Sequence, residues 1–152
     1  MEFKGKFYNI PASIIGPKPI QKPHLPIYMG GFSPNTYSRI VNSAANGWLG
    51  TIYGFEHLEN TLKTIKNIAN KANKDPNNFK VILLTFPNIV DSKSQITNEG
   101  QRFPLTGTID QAGSDIERIK QMGVDHIIFG SIGKDLDKVM DITKQLSKFA
   151  RL

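Results

Sequence analysis

The segment "PIYMGGFSPNTYSRI", residues 26–40, changes within a few positions from the pattern of a buried strand to that of a helix. Pro26–Gly30 reads as a short strand, and the apolar spacing that follows is helical. Between the two, Gly30 and Gly31 allow a sharp backbone turn. Ser33 and Pro34 are favoured residues for the cap and the first position of a helix. A strand that turns directly into a helix is the repeating unit of α/β proteins.

The rest of the chain repeats this unit three times. Strands are predicted in "GWLGTIYG" (47–54), "FKVILLTF" (79–86) and "VDHIIFG" (124–130), and such apolar runs suit a parallel sheet. The spacing predicts helices over Pro34–Ala45, about His57–Asn73, from Thr108, and over 134–150. Thr108 with Gln111 fits a capping box, and Gly123 fits the end of that helix. The sequence therefore predicts four strand–helix units in one domain, 1–152.

Apolar stripes predict which helix faces point inward. The expected inward residues are Tyr37, Ile40, Val41 and Ala44; Leu58, Leu62, Ile65, Ala69 and Ala72; Ala112, Ile116, Ile119 and Met122; and Leu136, Val139, Met140, Thr143 and Leu146.

Three segments lie outside this pattern. "FKGKFYNI" (3–10) alternates like one exposed strand, "PASIIGPKPIQKPHLP" (11–26) is a proline-rich connection, and 87–104 reads as loop.

Composition excludes several classes of protein. The chain has no cysteine, which excludes disulfides and thiolate chemistry, and no apolar run of membrane-spanning length, so a cytoplasmic protein is expected. The net charge is +6, but the lysines are spread along helix faces rather than clustered, so nucleic-acid binding is not favoured. No residues show the spacing of a metal site, and His24, His57 and His126 are interpreted as structural.

The glycine turn has two interpretations. Free backbone N–H groups at a helix start suit a phosphate, whereas a tight turn with no ligand would use the same residues. The dinucleotide fingerprint and the Walker lysine pattern are both absent. Trp48 is interpreted as a packing residue, with a place beside a cofactor ring as the alternative.

Several segments, in this order, resemble the C-terminal half of the luciferase-like monooxygenase family, which consists of flavin- and deazaflavin-dependent (β/α)8 barrels. The similar segments are "FKGKFYNI", "GPKPIQKPHLPIYMGGFSP", "SRIVNSAANGWLG" with Asn46 where the family usually has Asp, and "TGTIDQAGSDIERIKQMGVDHIIFG". The resemblance implies a partial TIM barrel of about four C-terminal βα units, preceded by a β segment. Strands one to four of the family are missing from this chain.

The resemblance also implies a cofactor site. In the family, the turn after the fifth strand holds the phosphate of FMN or coenzyme F420, and the choice between the two stays open. The residues implicated by position are Gly30, Gly31, Phe32 and Ser33, with Asn35 or Thr36 assisting and Thr51 and Tyr53 beside the ring. The strand ends at 86–88 and 130–131 would lie on the same face. No catalytic residue is assigned.

Two classes of function remain after this reading. The first is a flavin- or F420-dependent oxidoreductase or monooxygenase that acts on an organic substrate and needs a second half. The second is a non-catalytic remnant that keeps the fold and a phosphate site. An open sheet exposes two edges and an apolar face, so we expect a homo-oligomer or a chain that supplies the missing half barrel.

Overall fold

The computed structural model describes residues 1–14, 16–90, 102–131 and 135–150. Four helices and a four-stranded parallel sheet form its body, as the sequence predicts. The strands are β1 (Phe3–Lys4), β2 (Asn9–Ile10), β3 (Tyr28–Met29), β4 (Gly47–Gly50), β5 (Lys80–Thr85), β6 (Asn88–Ile89), β7 (Thr106–Gly107) and β8 (His126–Phe129), and the helices are α1 (Pro34–Asn42), α2 (Phe55–Lys71), α3 (Ile109–Gln121) and α4 (Leu136–Ala150), with a 3-10 turn at Pro76–Asn78.

The main sheet has the order β3-β4-β5-β8, and neighbouring strands are parallel throughout. Successive residues of a strand point to opposite faces, so the register of the strands shows which side chains share a face of the sheet. One face packs against the helices and carries Met29, Trp48, Val81, Leu83, Ile127 and Phe129. The other face carries Tyr28, Leu49, Ile82, Leu84, His126 and Ile128, none of which belongs to the hydrophobic cluster that the sheet shares with the helices. Both β3 and β8 are edge strands.

The core between sheet and helices uses most of the predicted stripes. Tyr37, Ile40 and Val41 of α1 are buried, and α2 and α3 bury their stripes in the same way. The capping box of α3 forms, with Thr108 Oγ1 accepting from the Gln111 N–H and Gln111 Oε1 accepting from the Thr108 N–H. Gly123 follows that helix with φ +88°, as its predicted role requires.

The first strand of the main sheet, β3, and the first helix, α1, are shorter than predicted. β3 is restricted to Tyr28–Met29 because Asn46 takes both backbone groups of Ile27: its Oδ1 accepts from the Ile27 N–H and its N–H donates to the Ile27 carbonyl. α1 ends at Asn42 because Ser43 is extended and its Oγ accepts from the Ala45 N–H. The prediction that Ala44 is buried was therefore wrong, and Ala44 is exposed.

The inward face of α4 was also predicted wrongly. Leu136, Met140 and Thr143 are exposed, Val139 is half-buried, and Leu146 is the buried residue of the predicted stripe. Ile142 and Phe149 pack against the core in their place. The helix presents this side because α3 offers a gap at Gly113, where an added Cβ would meet the Phe149 ring at 2.5 Å.

Two connecting regions contain short strands where the sequence predicted otherwise. The predicted single strand at 3–10 is a hairpin, because the Gly5 N–H donates to the Tyr8 carbonyl and folds β1 back on β2. The predicted loop at 87–104 begins with β6, which pairs in parallel with β7. Residues 91–101 of that loop lie outside the described part of the chain.

Candidate functional site

The predicted glycine turn lies at the carboxyl end of β3 and leads directly into α1. Gly31 has φ +121°, a conformation that side chains with a Cβ rarely adopt. An added Cβ on Gly31 would also lie 2.9 Å from the Thr36 side chain. At Gly30, an added Cβ would lie 3.3 Å from the Leu49 carbonyl oxygen. Neither position therefore has room for a Cβ, because the Thr36 side chain and the Leu49 carbonyl pack closely against the turn.

The start of α1 is capped as its sequence predicts. Ser33 Oγ accepts from the Thr36 N–H at 3.2 Å and pairs with Thr36 Oγ1 at 3.0 Å. Within the described part of the chain, the N–H groups of Phe32, Ser33 and Asn35 take part in no hydrogen bond. The first turn of α1 contains no acidic residue. Unpaired N–H groups at a helix start without a nearby carboxylate fit an anion such as a phosphate.

Trp48 holds the backbone of the turn in place. Its ring is buried, and its Nε1–H donates to the Gly31 carbonyl at 2.9 Å. The same ring lies over Gly50, where an added Cβ would meet it at 2.0 Å. This tryptophan is the packing residue that the sequence suggested, and it also orients the carbonyl of the glycine with the unusual φ. That hydrogen bond was not predictable from sequence, because 17 residues separate donor and acceptor.

An aromatic cluster stands beside the turn. The Phe32 ring lies 5.2 Å from that of Tyr53, 5.9 Å from Trp48 and 6.0 Å from His57, between ring centroids. Tyr53 and His57 are 5.5 Å apart. Phe32 and Tyr53 are both exposed, so they present an apolar, aromatic surface to solvent. Such a surface suits a flat aromatic ligand that lies near the turn.

The structure thus brings most of the predicted site residues together. Gly30, Gly31, Phe32 and Ser33 form the turn, and Tyr53 touches Phe32. Asn35 is exposed in the first turn of α1, Thr36 has its hydroxyl paired with Ser33, and Thr51 is half-buried after β4. His57, interpreted as structural from sequence, packs in the aromatic cluster. It lies in the first turn of α2, four residues after Tyr53, and only the fold reveals its contact with Phe32.

The carboxyl ends of β5 and β8, which lie away from β3 in the strand order, are held by contacts of their own. The Gly130 N–H donates to the Thr85 carbonyl at 2.7 Å, and an added Cβ on Gly130 would lie 2.5 Å from the Phe86 ring. These ends lie at the same edge of the sheet as the turn, since all four strands are parallel. They extend the candidate surface from β3 towards β8.

The described residues include neither a metal-binding cluster nor a membrane-spanning helix. No group of histidine and carboxylate residues in the described ranges could hold a metal ion. Among the helices described here, none has the length and apolar character to cross a bilayer.

Comparison with known proteins places the chain in a family. The sequence profile of the luciferase-like monooxygenase family matches residues 1–126. No curated protein matches the chain by sequence.

Solved structures share the fold at low identity. An F420-dependent secondary alcohol dehydrogenase, solved with an F420–acetone adduct, is 17% identical with a TM-score of 0.76, covering 100% of this chain and 56% of its own. A coenzyme F420 dependent tetrahydromethanopterin reductase from Methanopyrus kandleri is 17% identical with a TM-score of 0.73, covering 95% of this chain and 56% of its own. A long-chain alkane monooxygenase is 13% identical with a TM-score of 0.67, covering 97% of this chain and 46% of its own.

The chain therefore spans about half the length of the solved structures it matches. These neighbours have the TIM-barrel fold of luciferase-like enzymes, and the four strand–helix units described above correspond to part of that barrel. Because the family profile covers most of the sequence, the expected resemblance is confirmed: the chain belongs to the luciferase-like monooxygenase family.

Proposed function

We propose that this chain forms the phosphate-anchoring half of a flavin- or F420-dependent oxidoreductase. The observation that carries the proposal is the turn at 30–33, where unpaired N–H groups, a positive-φ glycine and an aromatic surface occur together. Two of the neighbouring structures are named as F420-dependent, and a third is a monooxygenase. FMN and coenzyme F420 are therefore the two candidate cofactors, and each carries a phosphate.

Different residues would bind the phosphate and the ring system of the cofactor. The N–H groups of Phe32, Ser33 and Asn35 would hold the phosphate, while Trp48 keeps the turn in position through the Gly31 carbonyl. Phe32 and Tyr53 would bound one side of the ring system and exclude water from it. A bound flavin or deazaflavin supplies the hydride or oxygen chemistry itself, whereas the protein supplies position and surroundings. This division explains why the turn needs no acid–base pair.

The proposed site is incomplete on one side. β3 is an edge strand, so the space beside the turn is open where a further strand would lie in a closed barrel. The missing wall and the substrate pocket must come from a second half. The isolated half is expected to show little or no turnover, and a complete assembly is expected to show reductase or monooxygenase activity.

Spectroscopic titration tests the proposal. The purified protein is titrated with FMN and, separately, with coenzyme F420, while the absorbance and fluorescence of the cofactor are followed. Saturable binding of one of them is the expected result, and its reduction or oxidation in the presence of an organic substrate is expected only in a complete assembly. Binding without turnover in a complete assembly would favour the non-catalytic alternative, and the absence of binding to both would reject the cofactor site.

A further inference from the structure

The described residues that precede β3 carry several large apolar side chains that are mostly exposed. In residues 1–14 and 16–25, here called the arm, Ile14 and Ile20 are 101% and 97% exposed, and Phe7 and Tyr8 are also largely exposed. The arm holds four lysines against one glutamate, Glu2, and so has a net charge of +3. An apolar surface of this extent is rarely left open to water. The arm ends at β3, one open edge of the sheet.

The opposite edge of the sheet shows a matching surface. On α4, Leu136 and Met140 are 70% and 62% exposed, on the side of the helix that does not face the core. Residues 135–141 contain Asp135, Asp137 and Asp141 against one lysine, a net charge of −2. We name residues 135–141 the α4 surface. The arm and the α4 surface are thus both apolar, and they carry opposite charges.

The second face of the sheet has the same apolar character. Leu49, Ile82, Leu84 and Ile128 are in register across β4, β5 and β8, on the face opposite the one that packs against the helices. In closed barrels of parallel strands, layers of such side chains fill the interior. Four strands are half of the eight that close this kind of barrel.

We infer that a second copy of this chain covers these surfaces, with the arm of each copy on the α4 surface of the other. A two-fold axis parallel to the strands places β8 of each copy beside β3 of the other, so that eight parallel strands close into one ring. The two faces opposite the helices then meet inside the ring. The complementary charges of arm and α4 surface fix the head-to-tail order of the contact.

The inference rests on the proposed function in one respect: the second copy supplies the wall that the cofactor site lacks. In the closed ring, the glycine turn after β3 adjoins the carboxyl end of β8 of the second copy. Association itself needs no cofactor. Its failure and the failure of cofactor binding are therefore separate results.

Sedimentation of the 152-residue protein without cofactor tests the inference. The wild-type chain is expected to sediment as a dimer at micromolar concentration. An arm variant, Ile14→Lys with Ile20→Lys, and a helix variant, Leu136→Lys with Met140→Lys, each place charge in both contacts of the dimer. Each is expected to raise the dissociation constant about tenfold to a hundredfold. The control, Asn60→Lys with Asn67→Lys on the exposed face of α2, adds the same charge away from both surfaces and should remain dimeric.

Mixing the two variants identifies which surfaces meet. A mixed dimer has one contact with both partners altered and one contact with both intact, namely the arm of the helix variant on the α4 surface of the arm variant. The mixture should therefore associate more tightly than either variant alone. All substituted side chains are exposed, and circular dichroism confirms that each variant folds.

Three results would overturn the inference. A wild-type chain that stays monomeric would show that these surfaces do not bind a second copy of the chain. Variants that remain as dimeric as the control would place the contact elsewhere. A mixture that associates no better than its components would show that arm does not meet α4.

Discussion

At position 31, only glycine suits both the backbone conformation and the lack of space for a Cβ. Its φ of +121° is strained for a residue with a Cβ, and the space that a Cβ would occupy belongs to the Thr36 side chain. Thr36 cannot easily move, because its N–H and hydroxyl both pair with Ser33 Oγ. Trp48 holds the Gly31 carbonyl from the other side. The shape of the proposed phosphate site therefore depends on one backbone conformation.

Gly31→Ala should lower the free energy of unfolding by about 1–3 kcal/mol, the usual cost of holding a strained backbone conformation. The loss arises from the positive φ and from overlap with Thr36. Urea unfolding followed by circular dichroism measures it. The control is Gly54→Ala, where the backbone is extended and an added Cβ meets nothing within 4 Å. Equal losses at the two positions would show that Gly31 is not strained.

Asp115 is a second residue on which the structure near the site depends, and its role was not apparent from sequence. It is buried, pairs with Arg102 Nη2 at 2.5 Å, and accepts from the Leu105 N–H at 2.7 Å. Arg102 also donates to the Thr106 carbonyl. These bonds fasten the segment before α3, in which Leu105 has φ +60°.

Asp115→Asn should lower the free energy of unfolding by about 3 kcal/mol or more, because it leaves a largely buried Arg102 without its counter-charge. Denaturant unfolding of the variant beside wild type measures the loss. Glu59→Gln is the control, since it breaks an exposed helix pair with Lys63 and should change stability within experimental error. A loss at Asp115 no greater than that at Glu59 would contradict this role.

At the scale of elements, the sequence predicted the type and order of strands and helices because their apolar periods are clear. Their ends were less predictable, since they depend on side chains that reach across the fold. Asn46 shortens β3 by binding the backbone of Ile27, 19 residues away. Likewise α4 turns a different face inward because Phe149 fills the space at Gly113. Periodicity within one helix contains no information about such a neighbour.

The link between β5 and β8 should depend on pH. Asp125 accepts from Lys80 Nζ at 2.6 Å and from the Val81 N–H at 2.8 Å. Partial burial favours a higher pKa for Asp125, but the bonds from Lys80 and Val81 outweigh it and hold the pKa below its usual range. A carboxylate with a lowered pKa stabilises the fold at pH values above its ordinary pKa of about 4. That contribution is lost as the pH falls through the lowered value.

Asp125→Asn should therefore destabilise the protein at neutral pH and change its stability little in strong acid. The measurement is the difference in free energy of unfolding between wild type and variant from neutral pH down to about pH 2. The difference should shrink as the pH falls below about 4. A difference that stays constant over this range would show that ionisation of Asp125 is not what links the strands.

At the scale of the whole molecule, four strand–helix units make an open structure that is half of a closed one. The sequence predicted this through its match to the later part of a barrel family, and the solved structures it resembles are about twice as long. The turn at 30–33 could be located from sequence because glycines, a cap and a proline stand together. The contact of Phe32 with Tyr53 and His57 could not, since it joins the turn between β3 and α1 to the junction between β4 and α2.

The proposed role of the turn at 30–33 is to bind the phosphate of the cofactor. The most direct measurement compares the affinity of the wild-type protein and of Gly31→Val for FMN and for riboflavin, which lacks the phosphate, and repeats the comparison with coenzyme F420 and its phosphate-free deazaflavin. The wild-type protein should bind one phosphorylated cofactor at least about tenfold more tightly than the phosphate-free compound. Gly31→Val should lose this preference. Equal affinities in the wild-type protein, or a preference that survives in Gly31→Val, would contradict the claim.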